Sequence, residues 1–251
     1  MSLIKIQYLL DSGFAIDYDE HFLVVDYTGG PLALPSDKEI LFLVTQNDRV
    51  HYSPSIFTLP GAKNAHYVLF DDVEKVEKKG KIFQLSDTIQ KTERMKVAYD
   101  PHFTRRTASG KHFDFAGISF TSFPSNHGGM AILFEMNEVS FFHAGSLNAQ
   151  LWPEMDENAR QKETEAFLSI LHQVKNNPID VSFGIVDPTL GENAFIGPIF
   201  FIKTLAPQIF IPMHFDGLPS VTETFKEAMQ PKTKTIIQTI SGSGDQIFVR
   251  G

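Results

Sequence analysis

The segment Thr45-Gln46-Asn47-Asp48-Arg49-Val50-His51 sets an amide, a carboxylate and an imidazole close together. Carboxylate and imidazole groups carry protons and ligate metal ions. The chain has no cysteine. Disulfides, thiolate metal sites and a cysteine nucleophile are therefore excluded. Any metal would be held by His, Asp, Glu, Gln or backbone oxygen. The segment follows the apolar run Glu39-Ile40-Leu41-Phe42-Leu43-Val44, which reads as a buried strand ending in a loop. Ser53-Pro54 then reads as a helix start, with Ser53 as the cap and Pro54 at the first helical position. A strand–polar loop–helix corner is a place where α/β proteins often put chemistry.

Other residues of chemical interest stand at similar boundaries. Asp11 lies at a strand-end break, Asn126-His127-Gly128-Gly129 precedes an apolar strand, and His143 and His214 close apolar strands. Asp187 stands before Pro188. Each also has a purely structural reading. Asp11, Asp48 and Asp187 can fix loops or cap turns. His51 can line a helix start, His127 can sit in a plain glycine turn, and His143 can pack behind a site. Pro101-His102-Phe103 with Arg105-Arg106 reads as a loop that could face a substrate.

The elements that would position these residues are legible from periodicity. Residues 4–10 read as a strand, and 14–18 and 21–26 as a hairpin across Asp19-Glu20. Further strands are expected at 39–45, 65–70, 96–100, 111–115, 118–123, 130–135 and 139–142, with Ala116-Gly117 as a hairpin turn. The mixed charge run 71–81 reads as a solvated helix or loop. A helix is expected over 154–175, where Ala166, Phe167, Ile170, Leu171 and Val174 recur at helical spacing. Beyond it strand and helix alternate: strands at 181–186, 208–212, 234–239 and 247–249, helices at 194–205 and 219–229. With no linker, repeat or low-complexity segment, residues 1–251 read as one domain. Many strands with helices in both halves suit two sheets packed face to face with helices outside. An ordinary three-layer α/β fold fits the pattern as well.

Composition narrows the function. The 42% hydrophobic content and 23 phenylalanines supply a full core. The formal charge of -8 argues against nucleic acid as a partner. No run reaches the roughly 18 apolar residues of a membrane span, and no signal peptide is evident, so a cytoplasmic location without membrane contact is the expectation. There is no Gly-x-Ser-x-Gly, no phosphate-binding Gly-Lys-Ser/Thr loop and no dinucleotide glycine fingerprint. Motifs thus give no support to a serine hydrolase, a P-loop enzyme or a Rossmann dehydrogenase.

Six segments together resemble the metallo-β-lactamase superfamily, in its branch of small lactonase-like hydrolases. They are residues 8–16, the 45–51 corner, Asn126-His127-Gly128-Gly129, Phe142-His143-Ala144-Gly145-Ser146-Leu147-Asn148, the stretch from Ile179 through Gly191, and Ile211-Pro212-Met213-His214-Phe215. The fourth and sixth are the most specific. The resemblance implies a four-layer αββα sandwich of α+β class, two mixed sheets with helices on both outer faces. It also implies metal positions. The family's Thr-His-x-His-x-Asp-His aligns on Thr45, which puts Gln46, Asp48, Val50 and His51 at ligand places, with Ser146 where the bridging Asp stands. Asp11 stands where that branch has a His.

Three outcomes stay open from the resemblance. One Zn²⁺ or Mn²⁺ could sit between the two positions, held by Asp48, His51, His127 and His214, since three protein ligands plus water make a workable catalytic count. The protein could hold no metal, or it could keep a two-metal centre. With an ion, a metal-bound water would attack a small lactone, ester or phosphoester, with Asp11 or Asp187 as base. Without one, the pocket would bind a small ligand or a protein partner.

Overall fold

Alternation along the strands becomes two buried faces. A computed structural model of the chain describes residues 2–73 and 102–250. In β1 (Leu3–Tyr8), Ile4, Ile6 and Tyr8 are buried while Leu3 is exposed. β2 (Phe14–Tyr18) and β3 (His21–Val25) form the expected antiparallel hairpin. β4 (Glu39–Val44), β5 (His66–Phe70) and β6 (Thr104–Thr107) then add in parallel, each pairing with the strand before it.

The second sheet begins with β7 (His112–Phe115), β8 (Ile118–Pro124), β9 (Met130–Met136) and β10 (Val139–His143), all antiparallel. β11 (Val181–Ile185), β12 (Ile209–Met213) and β13 (Ile236–Ile237) continue it in parallel. β14 (Gln246–Arg250) returns to pair antiparallel with β1. Two mixed seven-stranded sheets result. Each passes from an antiparallel half into a parallel half.

The sheets pack face to face, with Phe14 of β2 against Phe183 of β11 at a ring separation of 4.5 Å. Truncating Phe183, which is fully buried, to Ala would cost about 3–5 kcal/mol. On the outer face of the second sheet lie α1 (Glu157–Val174), α2 (Ile196–Leu205) and α3 (Ser220–Met229). Asp156 caps α1 through the Ala159 amide at 2.8 Å. Phe167, Ile170, Leu171 and Val174 face inward, while Ala166 is exposed. Phe201 of α2 meets Phe142 at 5.8 Å, and Phe225 of α3 meets Phe210 at 5.7 Å.

The first sheet is covered differently. Among the described residues its outer face carries a separate apolar cluster that includes Phe42, Ile56, Ala62 and Tyr67. Among the described residues, two 3₁₀ turns, Pro54–Phe57 and Ala62–Asn64, contribute to its cover. Ser53 does cap the first, but the expected helix is a single turn. The 104–107 segment, read from sequence as a loop, is an edge strand. Its arginines are engaged there: Arg105 lies 5.2 Å from the Phe113 ring centroid, and Arg106 donates to the Val73 carbonyl. The strand expected at 234–239 shrinks to two residues. The strand expected at 96–100 and most of the 71–81 run lie outside the described residues.

Candidate active site

β4, β10, β11 and β12 all end toward one rim of the sandwich, where the loops that follow them meet the β1–β2 turn. Two backbone hydrogen bonds tie this rim across the sheets: Met130 N–H to the Thr45 carbonyl at 3.0 Å, and His214 N–H to the Asp11 carbonyl at 2.9 Å. Gly145 turns here at φ +55, and a Cβ on it would stand 2.3 Å from the Met130 oxygen. Gly129, at φ +66, would bring a Cβ 2.5 Å from the Thr45 oxygen. Both need glycine because a side chain would collide with backbone.

Behind the rim sits a carboxylate that sequence reading passed over. Asp26 is fully buried and accepts from Thr45 twice, from the amide at 2.8 Å and the hydroxyl at 2.7 Å. Burial pushes its carboxyl up to about 7, although the nearby His51 charge and the Thr45 hydrogen bonds pull the other way. His143 Nδ1 lies 3.8 Å from Asp26 Oδ2. That same Nδ1 accepts from the Gly145 amide at 3.1 Å, so Nε2 carries the hydrogen and donates to the Ser12 carbonyl at 2.9 Å. Burial pushes His143 down to about 3, which keeps it neutral.

In front of Asp26 stands His51, 1% exposed. Its Nδ1 lies 2.7 Å from Asp48 Oδ1, an oxygen that also accepts from the Val50 amide at 3.0 Å. Its Nε2 lies 3.3 Å from Ser146 Oγ. Burial disfavours the charged ring. The Asp48 hydrogen bond and the charges of Asp26 and Asp48 outweigh burial, so the net shift is upward. Asp48 moves down: burial acts to raise it, and the contacts with His51 prevail. Ser146 donates its hydroxyl to Gln46 Oε1. The His214 ring sits beside His51, with centroids 6.2 Å apart, and its backbone has φ +59.

The other expected residues have engaged side chains. His127 Nε2 lies 2.7 Å from Glu163 Oε1 of α1. That oxygen also accepts from Asn126 Nδ2 at 2.9 Å and from the Gln150 amide at 3.0 Å. Asp11 Oδ2 accepts from the Thr28 hydroxyl at 3.2 Å. Asp187 Oδ1 accepts from the Thr189 amide and hydroxyl, at 2.9 and 2.6 Å, and so caps the 3₁₀ turn Pro188–Asn193.

The structure thus brings together Asp48, His51, Ser146, Gln46 and His214, while His127 is held by α1. Among the described residues no group of three or more His, Asp or Glu side chains could hold a metal ion. The donor chemistry agrees. Val50 offers no side-chain donor, and Ser146 is hydrogen-bonded to both Gln46 and His51. The residues present do not fit a two-metal centre, and in the set Asp48, His51, His127 and His214 the Asp48 carboxylate pairs with His51 while the His127 ring is turned to Glu163 of α1. Sequence reading missed Asp26 and Glu163. Asp26 left one signal, a carboxylate closing the apolar run of β3 beside the strand that leads to Thr45. Glu163 left none, since it stands among other charged residues of α1.

No family model matches the sequence, and no curated protein does. Solved structures match over nearly the whole chain. Igni18, a metallo hydrolase from the hyperthermophilic archaeon Ignicoccus hospitalis KIN4/I, has 12% identity and a TM-score of 0.64, covering 99% of each chain. The metallo-β-lactamase fold protein YhfI from Bacillus subtilis has 10% identity and a TM-score of 0.58, covering 99% of this chain and 100% of its own. Zn²⁺-bound PqqB from Methylobacterium extorquens has 10% identity and a TM-score of 0.52, covering 98% and 99%. The chain has the metallo-β-lactamase fold, two mixed sheets in an α+β sandwich. Among the described residues no helix is long and apolar enough to cross a membrane.

Proposed function

We propose that the protein is a hydrolase of small esters or lactones that works at the rim where the 45–51 loop, the 144–148 turn and His214 meet. The observation that carries this reading is the state of His51. It is buried, its Nδ1 is held by Asp48, and its Nε2 is left facing Ser146 beside His214. An imidazole with one nitrogen anchored and the other free is the usual form of a general base. The reading gains support from Igni18, a metallo hydrolase on the same fold. The formal charge of -8 and the Asp48 carboxylate favour a neutral ester or lactone over a phosphoester. In this reading proton transfer belongs to His51. Asp11 positions His214 through its backbone carbonyl, and Asp187 holds its loop.

A second reading keeps one Zn²⁺ or Mn²⁺ at His51 and His214, on the strength of their adjacency and of the Zn²⁺ in PqqB. It lacks a third donor. Assay of short-chain p-nitrophenyl esters and of γ-lactones, with and without chelator, separates the two. Turnover that survives EDTA and disappears in His51→Ala is the expected result. Turnover abolished by EDTA and restored by Zn²⁺ or Mn²⁺ would select the metal reading. No turnover under either condition would overturn hydrolysis and leave a relative that binds a small ligand or protein partner.

A further inference from the structure

We propose that Ser146 is a covalent nucleophile, served by His51 and oriented through Asp48. This deepens the hydrolase reading and rests on it. The three groups lie in relay order: Asp48 Oδ1 to His51 Nδ1 at 2.7 Å, and His51 Nε2 to Ser146 Oγ at 3.3 Å. A carboxylate accepting at Nδ1 fixes the tautomer, so neutral His51 turns its lone pair on Nε2 toward Ser146. Such a relay is recognised by geometry and roles, and it recurs on unrelated folds with its members in different chain order.

The turn that carries Ser146 is rigid. It leaves β10 through Gly145, where the Met130 carbonyl leaves no room for a side chain. The Gly145 amide is held by His143, and the Leu147 amide by the Ala144 carbonyl. Ser146 is 8% exposed. At rest the hydroxyl donates to Gln46. Rotation about the Cβ–Oγ bond redirects that hydrogen to His51 Nε2.

The chemistry balances without a co-reactant beyond water. Ser146 Oγ bonds to the acyl carbon, its proton passes to His51, and the ester C–O bond breaks. His51 protonates the departing alkoxide, which in a lactone stays tethered to the acyl group. Water then attacks the acyl-serine, giving its proton to His51, and Ser146 Oγ regains a proton as the acid leaves.

The test is intact-mass spectrometry after incubation with a short-chain alkyl fluorophosphonate in EDTA. The probe forms an Oγ–P bond and releases fluoride. One adduct on the wild-type protein, mapped by peptide sequencing to Ser146, is expected. Ser146→Ala should carry no adduct, and His51→Gln should label at least about 100-fold more slowly. Circular dichroism on both variants confirms that they fold, and Ser146→Thr gives a second check with the hydroxyl retained. Ester turnover without any adduct, or undiminished turnover in folded Ser146→Ala, would overturn the nucleophile while leaving the hydrolase reading intact. Absence of both adduct and turnover would overturn both.

Discussion

Two histidine–carboxylate pairs of equal length stand at the rim and do opposite things. His51 meets Asp48 at 2.7 Å, and His127 meets Glu163 at 2.7 Å. The first pair is local, three residues apart along the chain, and anchors the ring by Nδ1. The second joins a loop to α1 across 36 residues and consumes Nε2. The His51 side chain is 2% exposed, whereas that of His127 is 23% exposed. Which nitrogen is spent, and whether the other is left over a reactive neighbour, separates a proton carrier from a clamp. Contact length alone does not.

The widest gap between the pairs is expected in turnover. His51→Ala should cut ester hydrolysis by about 100-fold or more. His127→Ala should stay within about tenfold of wild type, because it touches no reacting group. Equal losses in kcat/KM would erase the distinction. Next comes what stands behind each pair. Asp26→Ala strands a buried amide and a buried hydroxyl on Thr45, so denaturant unfolding should show a loss of about 3 kcal/mol. A loss under about 1 kcal/mol would mean that water replaces the carboxylate. Glu163→Ala should cost about 1 kcal/mol, since this pair is partly exposed. Its signature is faster proteolysis of the 125–150 region, with ester turnover near normal.

The smallest effect is a slope. Asp26 holds its proton up to about 7 in the folded state, against an ordinary value of 3.8. Between those values the folded state binds more protons than the unfolded one, so this group makes stability fall as pH rises. His143 is depressed to about 3 from 6.5. Over that window the unfolded state binds more protons, so this group makes stability rise with pH. The two oppose each other between roughly pH 4 and 6.5. Asp26→Asn removes one side. Its melting temperature should drop more steeply than that of wild type on acidification from pH 6.5 to 4, and a parallel drop would show that the two groups do not offset each other.

Much of the sandwich was legible because burial alternates along β1, β7, β8 and β14, and because Ala116-Gly117 marks the β7–β8 turn and Asp19-Glu20 the β2–β3 turn. Thr104-Arg105-Arg106-Thr107 escaped, since an edge strand needs no apolar run when its charged side chains find partners elsewhere. The helix after Ser53 was over-read because a cap and a proline start a helix without setting its length. The rim was only half legible. Asp48, His51 and His214 stood out by residue type. The link from His51 to Ser146 spans 95 residues and arises only when β4 and β10 are packed. No local motif could announce it.

The pairing of β14 with β1 has a consequence for biogenesis. Leu3 faces Arg250 in that ladder, so β1 leaves the ribosome long before its outer neighbour exists. Until β14 arrives, the β1 edge offers unpaired amides and carbonyls to any extended chain nearby. The interval between the two strands is therefore a window for chaperone capture or for mispairing between nascent copies, and slowing translation between β1 and β14 should lengthen it.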